Sequence, residues 1–132
     1  ESIGRICNEL YLHIKEIKGS TAEKLKNEII PYIEKNFDDY NFSVQNMACN
    51  FHVSLTYLNR YFKLHMNMTV YEYINRLRIE KAKHLLASSD KNIQDIVLNI
   101  GYSDVSSFIR KFKQSEGMTP GKYRRIHRGL SL

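Results

Sequence analysis

Long apolar runs are missing from this 132-residue chain: none approaches the roughly 18 residues that span a bilayer, and no secretory signal opens it. The sequence therefore predicts a cytoplasmic protein with no membrane partner. Cysteine is almost as scarce. Cys7 and Cys49 lie far apart with no metal-like spacing, and are expected to be free thiols of a reducing compartment, Cys49 packed in the core. The five histidines, His13, His52, His65, His84 and His127, share no ligand spacing. A glycine-rich phosphate loop is absent, as is any nucleophile–base pair, so the expectation is no enzyme, no metal and no cofactor. Only Pro31 and Pro120 break the chain, the six glycines are scattered, and no strand-like alternation persists. The fold class expected is all-α. The chain starts at Glu1 without a methionine, as expected of a fragment of something longer.

What is present is a repeat. Val44–Leu55 aligns with Ile93–Asp104, and Leu58–Tyr73 with Phe108–Tyr123, giving 28 paired positions of which nine are identical. The identities include Ser54/Ser103, Arg60/Arg110, Phe62/Phe112, Lys63/Lys113, Thr69/Thr119 and Tyr73/Tyr123. The apolar positions pair as well, among them Met47/Ile96 and Leu58/Phe108. A unit used twice points to one device applied at two places on an extended partner. Charge is uneven in the same sense: residues 1–59 hold 6 Lys/Arg against 8 Asp/Glu, residues 60–132 hold 14 against 6. A basic half suits a polyanion.

Ile3, Cys7, Leu10, Ile14 and Ile17 have the spacing of a short coiled-coil seam, and Ser20 to Glu23 reads as a capping box. The next helix is expected to run to about Asn36 with Leu25, Ile29, Tyr32, Ile33 and Phe37 inward, and Pro31 should kink or restart it. Each repeat then has a short helix, a tight turn, a second helix and a cap. Gly101 supplies a positive φ at the second turn and His52 takes the equivalent place in the first. Asn67 and Gly117 suit left-handed helix ends, followed by caps at Thr69 and Thr119. Tyr61, Phe62, Tyr71 and Tyr73 read as core packing. A long helix over residues 70–88 joins the copies.

Two helices around a tight turn, the second polar and basic, form a helix-turn-helix, with units expected over about 44–65 and 93–116. Packing through Met47, Ala48, Val53, Leu58 and Phe62 would leave Leu55, Thr56, Asn59, Arg60 and Lys63 outside. The second copy would present Val105, Ser106, Ile109, Arg110 and Lys113. Asn matches adenine and Arg matches guanine in bidentate fashion, hydroxyls meet any base edge, and Val or Ile can touch a thymine methyl. Phosphate contacts are expected from helix N-termini at Ser43 and Asn92 and from Lys63, Lys113, Lys122, Arg124 and Arg125. Arg76 and Arg78 are expected to bond internally. At about 1.5 Å per residue the joining helix is roughly 30 Å long, near the 34 Å or so between successive major-groove windows. This predicts double-stranded DNA as the partner, read in adjacent grooves. In the alternative, only the first unit reads bases and the second is a polymerase-docking or structural module.

Ser54-x-x-x-Leu58-x-Arg60-x-Phe62-Lys63, with Arg76-Leu77-Arg78-Ile79-Glu80-Lys81-Ala82, resembles the DNA-binding domain of AraC/XylS-type bacterial transcription regulators. Gly101-Tyr102-Ser103-Asp104, Phe108-x-Arg110-x-Phe112-Lys113 and Gly117-Met118-Thr119-Pro120-x-x-Tyr123-Arg124 extend the match, which covers roughly Glu28 to Arg125. The resemblance implies seven helices, binding to promoter DNA, contact with RNA polymerase, and most often activation. It places Thr56, Asn59, Arg60, Val105, Ser106 and Arg110 where members read bases. It further implies an upstream sensor or receiver domain absent from this chain, residues 1–19 being its linker and a homodimerisation helix, and residues 20–128 the DNA-binding domain. Pro31, and Asn67 where glycine is usual, depart from the pattern.

Overall fold

The computed structural model describes Glu23 and residues 25–129, and their regular structure is entirely helical. A π-type turn, Leu25–Ile29, runs into α1 (Ile30–Asn36). Then follow α2 (Val44–Asn50), α3 (Leu55–Met66), α4 (Val70–Ser88), α5 (Ile93–Asn99), α6 (Val105–Glu116) and α7 (Pro120–His127). The amphipathic segment Ile3–Ile17 and the capping box at Ser20 lie outside the described residues. No described helix is long and apolar enough to cross a membrane.

The helix around Pro31 restarts as its sequence requires. Pro31 has no N–H to give the preceding turn, and the wide turn Leu25–Ile29 changes to α geometry at Ile30, its neighbour. Ile29 and Ile33 are buried, but Tyr32, expected inward, is 37% exposed. Its ring meets Phe51 edge-on, centroids 5.5 Å apart, at the margin of the core.

The chain divides into two compact units. In the first, α2 buries Val44, Met47 and Ala48, α3 buries Tyr57, Leu58 and Phe62, and Val70, Tyr73 and Ile74 close the core from the start of α4. Tyr71, expected among this packing, is 54% exposed, because it lies about 100° round the helix from buried Val70. Cys49 is likewise corrected. It is half-buried and disulfide-bonded, not a free core thiol. One position round α2 from Ala48, it falls at the edge of the buried stripe.

The second unit packs Ile79, Ala82 and Leu86 of α4 against Ile96, Val97 and Ile100, and against Phe108 and Phe112 of α6. Residues 36–42 belong to this unit too. Arg78 Nε donates to the Phe37 carbonyl (2.9 Å) and Lys81 pairs with Asp38. Of the two connecting-helix arginines expected to bond internally, Arg78 does so and Arg76 is exposed. Gly101 makes the close approach of that loop feasible. At φ +90°, a Cβ there would lie 2.9 Å from the Phe37 oxygen and 3.2 Å from Arg78 Nε.

Its counterpart His52 accepts φ 59° on the surface, where only backbone strain is at issue. Gly101→Ala should therefore cost about 2–4 kcal/mol, strain plus overpacking, whereas His52→Gly should be neutral or stabilising by about 1 kcal/mol. Urea denaturation of the two variants checks this; equal effects would contradict it.

Candidate nucleic-acid interface

The two helix-turn-helix units share the bonds that close the turn and cap the second helix. Val53 N–H donates to the Ala48 carbonyl (3.0 Å) and Tyr102 N–H to that of Val97 (3.2 Å), closing each turn. Ser54 caps α3 by accepting from Tyr57 N–H (3.0 Å), and Asp104 caps α6 by accepting from Ser107 N–H (3.0 Å). Asn67 (φ 59°) and Gly117 (φ 77°) end the two helices in the left-handed conformation, each N–H returning to Lys63 or Lys113. Both helices are 12 residues long. Residues 54 and 104 are thus equivalent, and the extra residue of the second copy is Ser103 in the turn. The identity of Ser54 with Ser103 in sequence does not survive as a structural equivalence.

From cap to cap a constant offset of 50 therefore relates the helices, and their exposed faces can be compared directly. Thr56, Arg60 and Lys63 are exposed on α3; Ser106, Arg110 and Lys113 are exposed at the same places on α6. Their spacing of four and then three residues keeps each trio within about 60° of arc. Neither Arg60 nor Arg110 forms an ion pair with a described residue. Leu64, 75% exposed, and Gln114 continue the same faces and were not expected from the sequence. Their place four residues after each arginine was the available signal.

Four residues expected to face outward turn in. Val105 and Ile109 pack against the second core, because α6 buries a broader stripe than Phe108 and Phe112 alone. Leu55 is half-buried at the start of α3. Asn59 is half-buried too, and its side-chain oxygen accepts from Val70 N–H (2.9 Å) across eleven residues of chain, tying α3 to the first turn of α4. The repeat explains this bond. Residue 59 corresponds to Ile109, and Val70 to Pro120. Proline has no N–H to satisfy, so an apolar Ile109 leaves nothing unpaired where Asn59 is needed.

The basic residues also divide. Lys63, Lys113, Lys122 and Arg125 are exposed. Arg124, expected at phosphate, is half-buried and donates to the carbonyls of Leu86 (3.0 Å), Ser89 (3.0 Å) and Lys91 (2.7 Å), capping the end of α4. Arg128 adds Asp90 and a further bond to Ser89. Ser43 and Asn92 use their side chains to cap α2 and α5, accepting from Asn46 and Asp95 N–H. Burial pulls the Arg78 guanidinium down despite Tyr102 and Asp38 beside it, and pushes the Tyr102 phenol up.

Comparison with known proteins agrees with this geometry. A helix-turn-helix domain family model matches residues 47–126. The C-terminal domain of the two-component response regulator yesN from Fusobacterium nucleatum superposes with a TM-score of 0.72 at 32% identity, over 76% of this chain and 98% of that one. A transcriptional regulator from Chromobacterium violaceum, described by its AraC-type DNA-binding domain, superposes with a TM-score of 0.69 at 25% identity, over 83% and 96%. The chain belongs to the AraC-type helix-turn-helix family. Among longer AraC-type relatives, the transcriptional activator RhaS of Escherichia fergusonii is 35% identical over 98 residues, 74% of this chain and 35% of RhaS. The chain spans less than half the length of the curated relatives it matches.

Two tests follow. If the Asn59–Val70 bond ties α3 down as the repeat implies, Asn59→Ile alone should cost about 1–3 kcal/mol through the stranded amide, and much less in a Val70→Pro background. A double-mutant cycle by denaturation measures the coupling, and additivity within error would contradict it. Hydrogen bonds from Ser107, hydroxyl first and then backbone N–H, hold the Asp104 carboxyl below the usual carboxylate range. A lowered folded value means stability present above the unfolded pKa and lost as pH falls through the folded one. Asp104→Asn should therefore flatten the acid limb of a circular-dichroism titration of stability; an unchanged limb would contradict the assignment.

Proposed function

We propose that this chain is the DNA-reading part of a transcription regulator, and that each unit places its second helix, α3 or α6, in the major groove of double-stranded DNA. The observation that carries this is the pair of matched exposed faces, each with an arginine that forms no ion pair with a described residue. Arg60 and Arg110 suit the O6 and N7 edge of guanine, and Thr56 and Ser106 suit a neighbouring base edge. Lys63, Lys113, Lys122 and Arg125 supply phosphate contacts, with the capped N-termini at Ser43 and Asn92. The exposure of Ser106, Arg110 and Lys113 at the places of Thr56, Arg60 and Lys63 speaks against a second unit that leaves the bases alone. Both units would engage one duplex in consecutive major-groove windows, about 34 Å apart.

The named relative RhaS is an activator, and activation is the regulatory sign proposed here. An upstream sensor or receiver domain, contact with RNA polymerase, and pairing through residues 3–17 belong to the same proposal for the whole protein. So does a cytoplasmic location.

Arg60→Ala should weaken binding by about 1–3 kcal/mol and relax preference at one base pair, while Lys122→Ala should weaken all duplexes alike and reduce the salt slope by about one unit. Fluorescence anisotropy on a selected duplex and its single-base variants, at two salt concentrations, checks both. A uniform loss for Arg60→Ala would contradict its role as a reader.

A further inference from the structure

We propose that the two units read nearly the same short base string, so that one bound site contains that string twice. This rests on the DNA-reading function proposed above. Sequence alone makes the second helices look different, because Leu55 and Asn59 stand opposite Val105 and Ile109. Those are the positions withdrawn from the exposed face. The Asn59 side-chain oxygen accepts from Val70 N–H, and Val105 and Ile109 pack on the second core. On the face that carries the arginine, the exposed side chains are Thr56, Arg60 and Lys63 on α3, and Ser106, Arg110 and Lys113 on α6, followed by Leu64 and Gln114; His65, Lys111 and Ser115 are exposed about 100° or more round the helix from it.

These sets offer the same chemistry in the same order: a hydroxyl, a guanidinium one turn later, and an ammonium beyond it. The common spacing follows from helices of equal length started by equivalent caps at Ser54 and Asp104. Each unit therefore selects a guanine for its arginine, flanked by a base edge open to a hydroxyl. Three differences remain. Lys111 is exposed on the flank of α6 where half-buried Tyr61 stands on α3, adding a charge suited to phosphate and not to a base edge. The Thr56 methyl group adds an apolar contact suited to a thymine methyl that Ser106 lacks. Leu64 corresponds to Gln114 near the helix ends, beyond the N-terminal turns that a recognition helix sets against base edges, so this pair affects the margin of each string and not its centre.

The test is in vitro selection of random duplexes by the intact chain, compared with its Asn59→Ile/Val70→Pro variant. That double change gives the first unit the Ile109 and Pro120 pair of the second without touching the exposed trio. The expected result is a site carrying two copies of one guanine-containing string, with both copies retained by the variant. Arg110→Ala should remove the guanine from one copy only, lowering its relative enrichment about tenfold. Should the double variant fail to fold, Ile109→Val serves in its place, because a packed side chain can be shortened there without altering the string. Enrichment of a site with two unrelated halves, or a shift in the string on changing Asn59 or Ile109, overturns the inference while leaving DNA reading intact. Failure to enrich any duplex at either low or moderate salt overturns both.

Discussion

The second helix of each helix-turn-helix unit, α3 or α6, is anchored from behind by a phenylalanine buried against a tyrosine of the following helix. Phe62 meets Tyr73 and Phe112 meets Tyr123, with ring centroids 5.5 Å apart in both units, and both phenylalanines are fully buried. Burial of such a side chain contributes about 1.5–3 kcal/mol, with something further from the ring pair. More important is what the pair does to orientation. A helix fixed on one face by a rigid aromatic contact must turn its opposite face to solvent, so the anchor decides which side chains are available to a partner. The left-handed ends at Asn67 and Gly117, and the caps at Thr69 and Thr119, bring the tyrosine-bearing helix back over its phenylalanine.

This explains what the sequence made legible. Among the residues identical between the copies are the aromatic anchors, the caps Thr69 and Thr119, and Arg60/Arg110. The positive φ at residues 52 and 101, the Thr69–Glu72 box and the buried Met47, Val53 and Leu58 followed from local rules. What sequence reading missed depended on tertiary partners. Asn59 carries the chemistry of a base reader, and only the Val70 amide beside it reveals a different task. Val105 and Ile109 sit where the width of the buried stripe, not its centre, sets exposure. Arg124 is basic and lies near the end of the chain, yet three carbonyls at the end of α4 claim it.

The positive charge of the second half is correspondingly not one undivided patch. Arg78, Arg124 and Arg128 serve the fold, satisfying carbonyls of a loop and a helix end that would otherwise stay unpaired. Lys63, Arg110, Lys113, Lys122 and Arg125 remain exposed. An account based on net charge would have counted both groups together and overstated the contacts open to phosphate.

The most direct measurement of this account is methylation interference at guanine N7 on a selected duplex, since that atom lies in the major groove where a guanidinium must reach it. Two separated guanines, each blocking binding when methylated, are predicted, one for each exposed arginine. Interference confined to a single guanine, or absent altogether, would contradict the claim that both units read bases.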